Sequence, residues 1–139
     1  ISYDPGNHHH MTLMRKERVE RIVQDIPPLE VTGPSEGDLL VVGWGGTYGA
    51  ITTAAERARS HGKAVASAHI RYLNPFPGNL GDIIKRYKRV LVPELNLGQL
   101  VKLVRARYLV DARSFTKIQG QPFKESEIVQ AITQQLEAN

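Results

Sequence analysis

Asp38-Leu39-Leu40-Val41-Val42-Gly43-Trp44-Gly45-Gly46-Thr47-Tyr48-Gly49 is the stretch on which the fold turns. Its apolar run, 39–42, is continuous rather than alternating, the pattern of a strand buried on both faces. The run breaks into glycines and then into a helical pattern at Ala50, Ile51, Ala54, Ala55 and Ala58. Glycines permit a sharp strand-to-helix turn and leave amides free at a helix N-terminus, where the dipole favours an anion. Gly45, Gly46 and Thr47 are therefore a candidate anion site. The stripe of small residues lets the helix lie close against a sheet, and Gly62 supplies its stop.

Working outward, residues 64–70 read as a second buried strand, followed by the proline-stiffened loop Arg71-Tyr72-Leu73-Asn74-Pro75-Phe76-Pro77-Gly78. Leu80, Ile83, Ile84 and Tyr87 give one face of a short helix. Val90-Leu91-Val92-Pro93-Glu94 is a strand with Pro93 near its end, where a missing amide costs nothing. Leu97, Leu100, Val101, Val104 and Tyr108 form an amphipathic helix entered through Asn96 and Gly98. Residues 112–116 make a further strand, 117–123 a loop, and Ile128, Val129, Ile132 and Leu136 the buried face of a last helix.

Upstream, Asp4-Pro5-Gly6-Asn7 is a turn signal with Asn7 as the cap of a helix over 8–24. Met11, Met14, Val19, Ile22, Val23 and Ile26 mark its apolar stripe, and Pro27-Pro28 stops it. Leu29-Glu30-Val31-Thr32 reads as a short edge strand. Strands alternating with helices predict an α/β fold whose parallel sheet is covered on both faces. Residues 1–28 are expected to be an interdomain linker and helix, and 29–139 the domain.

The chain has no cysteine, which excludes disulfides, Cys-ligated zinc, iron–sulfur clusters and thiol catalysis within it and fits a reducing, cytoplasmic setting. No run approaches the roughly 20 apolar residues of a membrane span. The formal charge of +4 is mild, and the basic residues alternate with apolar helix positions, so no nucleic-acid partner is expected. His8-His9-His10 cannot all face one metal from a helix, because neighbours point about 100° apart, and His61 and His69 fall on other elements. No metal site is expected. The start at Ile1, without an initiator Met, suggests a piece of something longer.

Against the dinucleotide fingerprint G-x-G-x-x-G, Gly43 and Gly45 fit, but Tyr48 takes the third place and only a looser variant ending at Gly49 survives. Arg71, after the next strand, suits a 2′-phosphate better than a ribose. An independent nucleotide- or phosphate-binding, NADP-like domain is the alternative this leaves. No serine lies in a G-x-S-x-G elbow, and there is no P-loop, H-E-x-x-H or EF-hand pattern. Glu94 and Asp111 read as helix-cap or salt-bridge residues rather than general bases. No catalytic residue is expected.

Several stretches taken together resemble the 2-oxoacid:ferredoxin oxidoreductases, and most of all the alpha subunit of 2-oxoglutarate:ferredoxin oxidoreductase. They are Ile1-Ser2-Tyr3-Asp4-Pro5-Gly6-Asn7-His8, then 40–49, then Arg71-Tyr72-Leu73-Asn74-Pro75-Phe76-Pro77. Val92-Pro93-Glu94-Leu95-Asn96-Leu97-Gly98-Gln99-Leu100 and Lys117-Ile118-Gln119-Gly120-Gln121-Pro122-Phe123 complete the set. The resemblance implies a transketolase C-terminal-like domain, a three-layer α/β sandwich with a mostly parallel sheet of about five strands and a first edge strand antiparallel to the rest. It implies a parent enzyme that uses thiamine diphosphate with Mg, an iron–sulfur cluster and coenzyme A as co-substrate to decarboxylate a 2-oxoacid oxidatively and reduce ferredoxin. This chain has no G-D-G segment with paired asparagines for the diphosphate and its metal. The implied partners are a thiamine-binding beta subunit and the amino-terminal half of the alpha subunit, with an architectural, subunit-contact role for the domain.

The loops at the strand carboxyl ends should share one surface. Rigid prolines, Trp44, Phe76 and Phe123 there suit a docking face, since aromatics offer contact area at little entropic cost. Packing beneath their own loops is the competing reading.

Overall fold

The computed structural model describes residues 3–138, so the Ile1-Ser2 end of the first motif lies outside the described residues. Five strands form one sheet: β1 (Val31–Thr32), β2 (Gly37–Trp44), β3 (Val65–Ile70), β4 (Tyr87–Glu94) and β5 (Ala112–Thr116), in the order β1-β3-β2-β4-β5. β3, β2, β4 and β5 are mutually parallel. β1 runs antiparallel to β3, pairing Val31 with Ala68 and Thr32 with Ser67. The expected sandwich with its antiparallel edge strand is the observed one.

β2 lies at the centre because all four residues of 39–42 are fully buried. Leu40 and Val42 join the core under α3 (Leu80–Ile84) and α4 (Gln99–Tyr108). Leu39 and Val41 join the core under α2 (Tyr48–Ser60) and α5 (Glu125–Glu137). Each such side chain contributes roughly 1.5–3 kcal/mol by its removal from water, so the one strand stabilises both outer layers. Pro93 sits beyond Val41↔Leu91, the last pair of β2 with β4, and interrupts nothing on that side.

The local differences from expectation have physical causes. α1 (Pro5–Arg21) begins three residues before the expected start at His8, with Asp4 rather than Asn7 as its cap. The Asp4 carboxylate accepts from the Gly6 and Asn7 amides at 3.1 and 3.3 Å. Asp followed by Pro is a helix start, because proline at the first helical position lacks an N–H that would be unpaired anyway. α1 buries none of its residues. Met11, Met14, Val19 and Ile22 of its stripe stay exposed, and only Ile26, past the 3₁₀ turn Ile22–Asp25, enters the core. Tyr87, expected on a helix, opens β4, and its hydroxyl donates to the Pro34 carbonyl at 2.6 Å. Among the described residues no helix is long and apolar enough to cross a membrane.

Candidate functional site at the carboxyl edge of the sheet

Four loops leave the carboxyl ends of the parallel strands, and each is held by polar side chains. After β2, Gly45 takes φ +56° and a 3₁₀ turn, Gly45–Thr47, leads into α2. The Thr47 hydroxyl accepts from the Trp44 amide at 3.1 Å and donates to the Trp44 carbonyl at 2.8 Å. Of the proposed anion site, Gly45 and Gly46 are exposed, whereas Thr47 is buried with its hydroxyl engaged in the turn. At Gly43 close packing requires a glycine: a Cβ there would lie 2.3 Å from Ile51 Cδ1 and 2.7 Å from Thr47 Oγ1.

After β4, Glu94 is fully buried and acts as a cap for α4. Its Oε1 accepts from the Leu100 amide at 2.7 Å and from Asn96 Nδ2 at 3.2 Å, and its Oε2 accepts from the Val101 amide at 3.0 Å. Asn96 Oδ1 in turn accepts from the Gly98 and Gln99 amides at 2.8 and 3.0 Å. The carboxylate therefore satisfies orphan donors of the helix N-terminus and is matched to its dipole. Asp111, the other boundary carboxylate, pairs with Arg113 on the surface.

After β5, the ammonium of buried Lys117 donates to both oxygens of Glu127, at 2.9 and 2.8 Å, and to the Pro122 carbonyl at 3.1 Å. Glu127 also accepts from the Lys124 amide at 2.7 Å at the start of α5. The Lys117 hydrogen bond, then the Lys124 amide, hold the Glu127 carboxyl below its usual range. Nothing in the local pattern of 117–127 signals this tie, because a loop separates the partners.

After β3, Asn79 reaches back to the chain before β1: its Oδ1 accepts from the Leu29 amide at 2.8 Å and its Nδ2 donates to the Leu29 carbonyl at 2.9 Å. This clamp fixes one wall of a cleft of about 310 Å³ between α2 and the end of β3. His69 borders it, with Tyr48 edge-on at 5.1 Å between ring centroids. His69 Nδ1 is buried without a hydrogen-bond partner among the described residues.

Burial first, and Arg71 second, hold the His69 imidazole below the usual histidine range. The unfolded chain thus takes up this proton at a higher pH than the folded one, and stability falls as pH drops from about 7 through the ordinary histidine value near 6.5. Urea midpoints of wild type and His69→Gln should converge toward acid and separate toward neutrality. Parallel profiles would mean that the imidazole is not desolvated.

The expected docking aromatics divide. Phe123 is buried and stacked on Phe115, with centroids 5.2 Å apart. Trp44 and Phe76 are half-buried and packed on the core. The exposed apolar residues of this edge are instead Tyr48, Tyr72, Leu95, Leu97 (72% exposed) and Ile118 (62% exposed). Leu97 was expected on the buried helix face, but it precedes α4 and points outward. Among the described residues no three His, Cys, Asp or Glu side chains gather into a metal-binding set.

The model for pyruvate:ferredoxin oxidoreductase core domain II matches residues 37–128. The chain is 50% identical over 129 residues to the 2-oxoglutarate oxidoreductase subunit KorA of Mycobacterium tuberculosis, covering 92% of this chain and 19% of that protein. It therefore spans about a fifth of that relative's length. The structure of 2-oxoglutarate:ferredoxin oxidoreductase from Magnetococcus marinus, solved with 2-oxoglutarate, coenzyme A and succinyl-CoA bound, superposes with a TM-score of 0.90 at 28% identity, over 98% of this chain and 24% of that one. A split-gene transketolase shares the fold at a TM-score of 0.59 and 19% identity, over 80% of this chain and 42% of that one. On that match across residues 37–128, which hold β2 to β5 and their connecting loops, the chain belongs to the pyruvate:ferredoxin oxidoreductase core domain II family.

Proposed function

We propose that this chain is the carboxy-terminal part of the alpha subunit of a 2-oxoacid:ferredoxin oxidoreductase. The parent enzyme oxidatively decarboxylates 2-oxoglutarate, forms its acyl-coenzyme A and reduces ferredoxin in the cytoplasm. The observation that carries this reading is the 50% identity to KorA along 92% of the chain. The chain's own role on this reading is architecture and subunit contact, with residues 1–28 assigned as an interdomain linker and helix and 29–139 as the transketolase C-terminal-like domain.

Thiamine diphosphate would supply the decarboxylation chemistry, but the residues here do not fit it or its Mg. Glu94, the buried carboxylate, has both oxygens engaged by its own helix, and the Asn96 carbonyl oxygen is engaged beside it. An iron–sulfur cluster finds no cysteine ligand in this sequence. Those groups therefore belong, on this reading, to the rest of the alpha subunit and to a thiamine-binding beta subunit. What this chain offers such neighbours is exposed apolar surface on rigid loops, at Leu95, Leu97 and Ile118, and along α1 at Met11, Met14 and Val19. An anion at Gly45, Gly46 and Thr47 is a minor part of the proposal and rests on the exposure of the two glycines in the turn that opens α2.

The parent alpha subunit co-expressed with its beta subunit should reduce ferredoxin in a reaction requiring both 2-oxoglutarate and coenzyme A. Leu97→Glu with Ile118→Glu in that subunit should reduce recovery of the assembled complex about tenfold, as loss of central apolar anchors does, while the isolated chain keeps its unfolding midpoint. Activity with no dependence on a 2-oxoacid would overturn the catalytic assignment. Unchanged assembly would remove the contact role from this face.

A further inference from the structure

The cleft beside α2 has a construction that subunit contact does not explain. Ser67 and His69 share one face of β3 at period two, Arg71 lines the same cleft from the residue just past the strand, and Tyr48, Ile51 and Thr52 meet them at helical spacing from α2. Pro27, Pro28 and Leu29 close the third side, pinned by Asn79. We propose that this cleft binds a phosphomonoester carried on a flat apolar body, a ligand the size of a mononucleotide.

The chemistry of the lining selects that class. Arg71 is exposed at the mouth and makes no ion pair or hydrogen bond among the described residues, and its guanidinium fork matches phosphate geometry. His69 has Nδ1 sealed near Gly43, where a Cβ would come within 3.7 Å of it. A bare buried lone pair costs less than a buried N–H without a partner, so the ring hydrogen resides on Nε2, the nitrogen left to meet a ligand. Guanidinium, imidazole N–H and the hydroxyls of Ser67 and Thr52 together supply donors for the three terminal oxygens of a phosphomonoester. The proline, Leu29 and Ile51 walls and the Tyr48 ring supply apolar contact for a planar body. A volume of about 310 Å³ is near the lower end for small-molecule sites and admits a mononucleotide rather than a dinucleotide. Glu30 on the rim opposes an anion and tunes the affinity downward. The clamp at Leu29 sets the walls before binding, so little ordering is left to oppose it.

The full 139-residue chain is titrated by calorimetry with adenosine 5′-monophosphate, adenosine and inorganic phosphate, with the His69 ring followed by NMR. The nucleotide is expected to bind saturably with Kd of about 0.1–1 mM, each half-ligand at least tenfold more weakly, with the His69 ring resonances shifting. Arg71→Met should weaken the nucleotide tenfold or more without moving the unfolding midpoint, and Glu30→Gln should tighten it. Absence of saturable nucleotide binding, indifference to Arg71→Met, or phosphate binding as tightly as the nucleotide would each overturn the site. None of these outcomes depends on whether the parent enzyme oxidises 2-oxoglutarate.

Discussion

Glu94→Gln is expected to lower the unfolding free energy by about 2–4 kcal/mol, although it changes one oxygen to an amide nitrogen and keeps the side-chain volume. The carboxylate is fully buried and accepts from two main-chain amides and one side-chain amide, with one or two donors on each oxygen. A glutamine must turn its NH₂ toward Leu100 and Asn96 or toward Val101, so a donor meets a donor. At least one buried amide of α4 then loses its acceptor, at roughly 1–3 kcal/mol. Loss of the negative charge at the helix N-terminus removes a further contribution of about 0.3–2 kcal/mol. Urea unfolding at constant slope measures the total, and amide exchange at Leu100 and Val101 should accelerate ahead of exchange in β2. A change within about 0.5 kcal/mol of zero, the range of ordinary surface substitutions, would show that the capping network is not what holds α4 to the sheet.

That capping role marks how far the sequence could be read. The reading of Glu94 as a cap was available from its place at a strand end, but its partners six and seven residues away follow from the loop that Asn96 and Gly98 build. The central strand was legible because a continuous apolar run has few other uses, and the closely packed α2 was legible from its alanines. α1 departs from the sequence pattern at its start, because Asp4-Pro5 carries a turn signal although the same pair caps a helix, and along its stripe, where apolar spacing implies a buried face that the described chain does not cover. Tyr87 matched helical spacing from Ile83 and Ile84, but its hydrogen bond to Pro34 is a tertiary contact and left no local trace. Phe123 looked like a docking residue because only Phe115, eight residues earlier, shows that it has a partner. At the candidate ligand cleft, Arg71 was singled out by its position after β3. His69 was not, since its orphaned nitrogen arises from the approach of Gly43 on the neighbouring strand and of Tyr48 at the start of α2.

Gly43→Ala should destabilise the chain by about 2–3 kcal/mol, and the sign is what gives the experiment its force. In a strand interior, alanine in place of glycine is ordinarily favourable by roughly 0.5–1 kcal/mol, because glycine loses more backbone freedom on folding. At Gly43 no positive φ is required, so conformational preference alone predicts a gain. The new Cβ, however, would stand 2.3 Å from Ile51 Cδ1 and 2.7 Å from Thr47 Oγ1. The isoleucine tip can rotate away, at the expense of its own packing against Leu39 and Val41 in the same core. The threonine oxygen cannot, because both of its hydrogen bonds to Trp44 define the turn. Relief must come from lifting the start of α2 off the sheet, and overpacking of this kind costs about 1–3 kcal/mol. Gly49→Ala is the matched control: nothing lies within 4 Å of its Cβ position, and it sits in the first turn of α2. It should be neutral or stabilising by up to about 1 kcal/mol. If both substitutions stabilise, the glycine at 43 is not there for close helix packing, and a ligand that needs the backbone bare at that point becomes the better explanation of the motif.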